Sequence, residues 1–197
     1  MAQFGKSRFP ESYQAKVGQN ARDLLHKNSK ELVDILENNN VIKDEMSVFE
    51  MGAGGARNLY YIWKKNNSVK LYANDLFESE SKKQMHDGIK DTITFYEGDS
   101  EEIFNECRVS DLDLLLVSDH FMHLQYEKAD NIIKNIMDKW SPEYIMLREV
   151  KKEFEKPEHP RLFHNYNQLL DKYELISDTV SEHAGCFSYF IWLLKRK

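Results

Sequence analysis

Cysteine, proline and glycine are all scarce in this chain. The two cysteines, Cys107 and Cys186, stand far apart with no CxxC spacing. They cannot build a zinc site by themselves, and a disulfide is not expected in a reducing compartment. Four prolines and eight glycines leave no Pro/Gly/Ser-rich linker, and no repeat or low-complexity tract interrupts the chain. Residues 1–197 therefore read as a single domain. No stretch approaches the ~20 apolar residues of a membrane span. The opening MAQFGKSRFPES lacks the apolar core of a secretory signal, so the expected location is cytoplasmic, with no membrane partner. Positive charge is in deficit too: 27 Lys and Arg face 33 Asp and Glu, a net −6. That balance points away from broad nucleic-acid binding, which wants a basic footprint. Lys6, Arg8 and Lys16 are a local cluster, read more simply as solvated surface.

What is present is an ordinary globular composition, 41% hydrophobic and 30% charged, with enough length to bury a core. The first ~45 residues read as helical by periodicity. Asn28 with Glu31 three positions on suggests a helix start, followed by the stripe Leu32, Val33, Ile35 and Leu36. Asn38, Asn39 and Asn40 end it. The pattern then alternates. Short apolar runs at Ser47–Met51, Lys70–Asn74, Ile93–Glu97, Leu112–Ser118 and Tyr144–Glu149 suit buried strands. Helical stretches lie between them, the clearest being Tyr126–Trp140, with Ile132, Ile133, Ile136 and Met137 on one face. Such alternation implies right-handed crossovers and a parallel sheet covered on both faces. Two further runs, Tyr173–Val180 and Phe187–Lys195, are joined by Ser181–Gly185 and read as a hairpin.

The strongest local signal is Val48-Phe49-Glu50-Met51-Gly52-Ala53-Gly54-Gly55-Ala56-Arg57-Asn58. A strand ends, glycines turn the chain, and a helix begins near Ala56. Glycines let backbone approach a ligand, and a helix start offers free N–H groups. A tight strand-to-helix turn is the plainer alternative. A dinucleotide loop of the GxGxxG type would place its third glycine at Arg57, whose bulk is awkward there. The loop instead resembles the first motif of class I S-adenosylmethionine-dependent methyltransferases, an acid followed by alternating glycines. It departs at Ala56, where the family usually has a third glycine.

The resemblance implies a Rossmann-like α/β methyltransferase fold: a mostly parallel seven-stranded sheet, a C-terminal antiparallel hairpin and helices on both faces. It also implies S-adenosylmethionine as cofactor and S-adenosylhomocysteine as product. Asp75, with Leu76 beside it, falls where the family holds the ribose hydroxyls. Asp99, with Ser100, falls where it reads the adenine amino group. Glu50, Gly52, Ala53, Gly54 and Asn58 would surround the amino-acid portion, Glu50 helping to hold its ammonium, and Ser118 would close the site from the fourth strand. Either aspartate alone could be a helix cap. Three signals at the ends of three successive strands favour binding, because ligands of open α/β sheets sit at those ends.

The run Ser118-Asp119-His120-Phe121-Met122-His123-Leu124 and the later Phe163-His164-Asn165-Tyr166 are similar to the small-molecule branch of that family. A small metabolite or sugar derivative is therefore the expected acceptor, with RNA or protein as the alternative. A protein that binds the cofactor without transferring methyl stays open beside them. His120 and, second, His164 are candidate bases; each could equally be a hydrogen-bonded structural histidine. His123 could share a face with His120, without an evident third ligand for a metal. Phe4, Phe9 and Tyr13 could close over the site as a lid formed by residues 1–45. Lys151–His164 could shape an acceptor pocket. The chain has neither an Asp/Asn-Pro-Pro-Tyr/Phe motif after the fourth strand nor a Pro-Cys nucleophile, which lowers a base-modifying role.

Overall fold

A computed structural model describes residues 19–107, 109, 111–151, 162, 164–183 and 187–197. The expected lid aromatics Phe4, Phe9 and Tyr13, most of the Lys151–His164 segment, and Cys186 lie outside the described residues. The chain runs α1 (Gln19–Asn38), β1 (Ser47–Met51), α2 (Arg57–Lys65), β2 (Lys70–Asp75), α3 (Glu78–Gln84), β3 (Ile93–Glu97) and α4 (Ile103–Glu106). It continues through β4 (Leu114–Ser118), α5 (Tyr126–Asn135), β5 (Tyr144–Val150), β6 (Tyr173–His183) and β7 (Phe187–Arg196).

One sheet of seven strands has the order β3-β2-β1-β4-β5-β7-β6. β1 to β5 pair in parallel, whereas β7 pairs antiparallel with both β5 and β6. The order reverses between β1 and β4, which creates the crevice where such sheets bind ligands. Strand alternation sends Val48, Leu71, Leu114, Leu116 and Met146 to one face, against Leu32, Leu36, Leu59 and Ile62. Phe49, Leu115, Val117, Ile145 and Leu147 go to the other, against Ile132, Ile133 and Ile136. Strands buried on both faces explain why β1, β4 and β5 read as near-continuous apolar runs.

Four expectations need correction. The first helix does not start at Asn28 but runs through it, and Asn28 is buried. The stripe of Leu32, Val33 and Leu36 packs this helix into the core, and tertiary burial overrides a local capping preference. Its end is where expected: the Asn39 amide donates to the Ile35 carbonyl at 2.9 Å, and Asn40 turns left-handed at φ 54°. The fourth strand starts at Leu114 and not at Leu112. There the Asp113 carboxylate accepts from the Ser47 amide at 2.6 Å and its hydroxyl at 2.9 Å, while the Asp113 amide donates to the Ser47 carbonyl at 3.2 Å. The long helix keeps α geometry only to Asn135, and Ile136–Trp140 form one π-helical turn. The hairpin strands run further than expected, to His183 and Arg196.

Candidate functional site

β1, β2 and β3 deliver Glu50, Asp75 and Asp99 to one rim of the sheet. Register pairs Glu50 with Ala73, Met51 with Asn74, and Asp75 with Glu97, so the strands end within one residue of each other while the acids step outward by two positions from strand to strand. The loop after β1 turns on two left-handed glycines, Gly52 at φ 65° and Gly54 at φ 51°. Ala53 donates its amide to the Asn74 carbonyl at 2.9 Å, tying the loop to β2. Ala56, at the family's third glycine position, is itself left-handed at φ 50° and caps α2. Alanine thus adopts the conformation that glycine adopts freely, at a strain of ~1–2 kcal/mol, while its methyl is fully buried.

Glu50 is buried at 3% exposure. Its Oε1 accepts from the Asn58 side-chain amide at 2.6 Å, and the Leu59 backbone amide also faces the carboxylate. The acid thus grips the first turn of α2, where a negative charge is favoured. Burial nevertheless pushes its carboxyl up to about 8. Its Oε2 is buried and has no hydrogen-bond partner, as a group kept for a ligand would be.

Asp75 does not cap a helix. Its Oδ2 accepts from the Gly54 amide at 2.8 Å and its Oδ1 from the Leu76 amide at 2.7 Å. Each oxygen keeps a further lone pair for a hydroxyl. Leu76, 54% exposed, stands beside it as open apolar surface. Asp99 is more committed: Oδ1 accepts from the Glu101 amide at 2.9 Å, and Oδ2 pairs with Lys128. Burial raises its carboxyl, but Lys128 and the Glu101 amide outweigh that and hold it below its ordinary value. Asp99 thus closes a local turn ahead of α4, whose cap position is Glu102 and carries no side-chain cap.

His120 follows β4 but leans back over the cofactor rim. Its Nε2 lies 2.7 Å from the Ser100 hydroxyl. A Cβ placed on Gly52 would come within 2.3 Å of its Nδ1, so only glycine admits the ring. His120, expected as a candidate base, therefore lies against Gly52 and Ser100, two residues expected on the cofactor side. Burial, with His123 and Lys128 nearby, pushes its pKa down to about 4, which leaves the ring neutral at neutral pH. Ser118, half-buried, ends β4 opposite Arg148. His164 lies elsewhere, 1% exposed among the rings of Phe121, Tyr126 and Tyr166 at 5.1 to 6.4 Å. That is the setting of a packed structural ring.

Several polar residues of the site were missed from sequence. The Asn74 side chain donates to the Tyr96 and Gly98 carbonyls at 3.0 and 2.9 Å and locks β2 to the turn after β3. Glu149, fully buried, accepts from the His120 and Phe121 amides at 2.8 Å each and the Met122 amide at 3.2 Å. Arg148 pairs with Asp119 at 2.5 Å and stacks 4.0 Å from the Tyr189 ring centre. A signal did exist, because Arg148 and Glu149 interrupt an otherwise apolar strand, and charges there require partners.

No family profile and no curated protein matches this chain. Solved structures do. Magnesium protoporphyrin IX methyltransferase from Synechocystis PCC 6803 with bound SAH superposes at a TM-score of 0.69 and 12% identity, covering 98% of this chain and 90% of that one. TehB from Haemophilus influenzae gives 0.66 at 16% identity, covering 85% of this chain and 62% of that one. A SAM-dependent methyltransferase from Aquifex aeolicus gives 0.57 at 14%, covering 83% and 89%. At these identities the likeness shows the fold, which is the Rossmann-like fold of class I methyltransferases.

Proposed function

We propose that the chain is an S-adenosylmethionine-dependent methyltransferase acting on a small-molecule acceptor, a small metabolite or sugar derivative. The observation that carries this reading is the row of Glu50, Asp75 and Asp99 at the C-terminal ends of three neighbouring strands, each two positions further out than the last, with Asp75 bonded to Gly54 of the glycine loop. The fold supports it, because solved structures of the same fold hold SAM or SAH.

The residues fit such a cofactor. Free lone pairs on Asp75 suit two ribose hydroxyls, Asp99 suits an amino edge, and the unpartnered Glu50 Oε2 suits an ammonium. Gly52, Ala53 and Gly54 present backbone without side-chain bulk, Leu76 and Ser100 flank the nucleoside, and Ser118 bounds the site. Asn58 holds Glu50 in place. When bound, the cofactor supplies a sulfonium-activated methyl group. The chain then has to align an acceptor with it and exclude water, and alignment alone can lower a barrier by several kcal/mol (roughly 7–11 in the best cases). His120 is the candidate proton acceptor. It is neutral and adjoins the cleft, and the Ser100 hydroxyl at its Nε2 can donate to the bare nitrogen or accept from the protonated one. We assign His164 a packing role.

Calorimetry on the full chain tests the reading. S-adenosylmethionine and S-adenosylhomocysteine should bind with micromolar affinity and NAD far more weakly. Saturable NAD binding without response to either sulfur nucleoside would overturn it.

A further inference from the structure

Asp119 is fixed by its neighbours and yet incomplete. It is the first residue past β4 and sits at φ 57°, a left-handed conformation that side chains seldom adopt. Its amide donates to the Arg148 carbonyl at 2.9 Å, and its Oδ2 accepts from the Arg148 guanidinium at 2.5 Å. Arg148 is itself buried on β5, 4.0 Å from the Tyr189 ring centre. Glu149 then holds the next three amides, those of His120, Phe121 and Met122. Strands β4, β5 and β7 thus set the aspartate in one pose. Among the described residues, however, its Oδ1 is buried and accepts no hydrogen bond. With the side chain 32% exposed, the carboxylate stands at the wall of the crevice, on its β4 side and next to His120. A strained residue over-determined by its neighbours, with one acceptor atom unmet, marks a place completed by a ligand.

We propose that Asp119 selects the methyl acceptor, and that this acceptor is a primary or secondary amine whose N–H is donated to the open Oδ1. The inference rests on the methyltransferase reading and deepens it by naming the acceptor's chemistry. An amine nitrogen carries both an N–H for the carboxylate and a lone pair for the methyl carbon; an amine that arrives protonated first gives that proton to water. The lone pair forms the new C–N bond, the C–S bond breaks with its electron pair staying on sulfur, and the nitrogen becomes a cation. A fixed carboxylate beside that nitrogen stabilises the charge as it develops, which is where preorganised groups act most strongly. An alcohol fits less well, because its oxygen has to lose a proton as it attacks. The neighbouring His120 is a weak base for that step, since burial, with His123 and Lys128 nearby, pushes its pKa down to about 4. A carboxylate acceptor fits least, because it would meet Asp119 with a second negative charge.

The test uses the full chain and a panel of primary and secondary amines, from 2-phenylethylamine to glucosamine, each with the alcohol and the carboxylate of the same carbon skeleton. Binding is read by calorimetry on the complex with S-adenosylhomocysteine, and turnover by formation of that product from S-adenosylmethionine. Amines should bind and react, with the matching alcohols and carboxylates weaker by roughly tenfold or more. Asp119→Asn keeps a carbonyl for Arg148 and turns an amide N–H to the open side. It should lower amine affinity by about tenfold or more while S-adenosylhomocysteine binding stays within about threefold. Asp119→Glu, which keeps the charge, should retain part of the amine preference. Alcohols bound and methylated as well as their amines overturn the inference and leave the methyltransferase reading standing. So does a wild type that binds S-adenosylhomocysteine but no amine, or an Asp119→Asn protein that keeps both affinities. If Asp119→Asn loses S-adenosylhomocysteine as well, the ranking of amine over alcohol in the wild type decides alone. A wild type that binds no S-adenosylhomocysteine removes both.

Discussion

The two halves of the site handle buried charge in opposite ways. On the β4–β5 side, Glu149 gives its carboxylate to three backbone amides of the following turn, and Arg148 gives its guanidinium to Asp119. On the β1–β2 side, among the described residues, Glu50 keeps one oxygen unbonded and Arg57 makes no contact pair. Glu149 and Arg148 therefore serve as internal framework, whereas Glu50 and Arg57 are open valences, and Asp119 joins the two with one oxygen paired and one unbonded. The difference teaches where mutations should cost stability and where they should cost binding. Framework groups hold the chain against unfolding, whereas open groups cost stability until a ligand arrives.

The largest effect is expected at Glu149. Glu149→Ala strands three buried amides, each worth ~1–3 kcal/mol when left unmet. Partial relaxation should leave a loss of about 3–5 kcal/mol, read by urea unfolding. A loss under 1 kcal/mol would show that the turn after β4 does not depend on this carboxylate, and the contrast between the halves would collapse.

Asp75 stands between the two classes, since it both ties the glycine loop and keeps lone pairs free. Hydrogen bonds to charged groups contribute ~1.5–3 kcal/mol. Asp75→Ala should therefore weaken S-adenosylhomocysteine binding by roughly tenfold or more. Losing the Gly54 and Leu76 bonds should cost the ligand-free fold about 1 kcal/mol as well. Normal affinity with a much lower melting temperature would move Asp75 wholly to the framework side.

A pH titration sharpens the same comparison. Glu50 and Glu149 both have carboxyl pKa values raised to about 8 by burial. Between their unfolded value of 4.5 and 8, the folded state holds more protons than the unfolded one. Stability must therefore fall as pH rises through that window. His120 works in the opposite direction. Its pKa is pushed down to about 4 by burial, so its contribution is lost as pH falls from 6.5 towards 4. Above pH 6.5 only the two acids act, and the ligand-free melting temperature should decline from there to about pH 8. Glu50→Gln keeps the acceptor for Asn58 and should flatten part of that decline, with little change near pH 5. An unchanged slope would mean that Glu50 is already ionised and paired in the free protein.

The smallest effect is expected at Ala56. Glycine there would release ~1–2 kcal/mol of left-handed strain. It would lose a buried methyl worth ~0.8 kcal/mol, together with ~0.5–1 kcal/mol of backbone entropy. Ala56→Gly should thus change stability by less than about 1 kcal/mol in thermal denaturation. Gly52→Ala offers the contrast, because its Cβ would lie 2.3 Å from the His120 ring.

Sequence by itself determined the architecture and the placing of the glycine loop and the acids near three strand ends. Period-two burial on both faces makes β1, β4 and β5 recognisable as apolar runs. Their alternation with amphipathic helices leaves few topologies. The glycine loop and the acids after β1, β2 and β3 are local signals, because each depends only on where one strand stops. What tertiary structure decided is which polar groups meet. Asp119 and Arg148 are 29 positions apart, as are His120 and Glu149, and Ser100 and His120 are 20 apart. No periodicity encodes such pairs; they exist because β4 lies between β1 and β5 in the sheet. The same ordering turned His120 towards Gly52 and closed His164 among aromatic rings. It also left Arg57 facing two carboxylates that do not reach it, since a helix start fixes a side chain's origin but only the surrounding strands fix its partners.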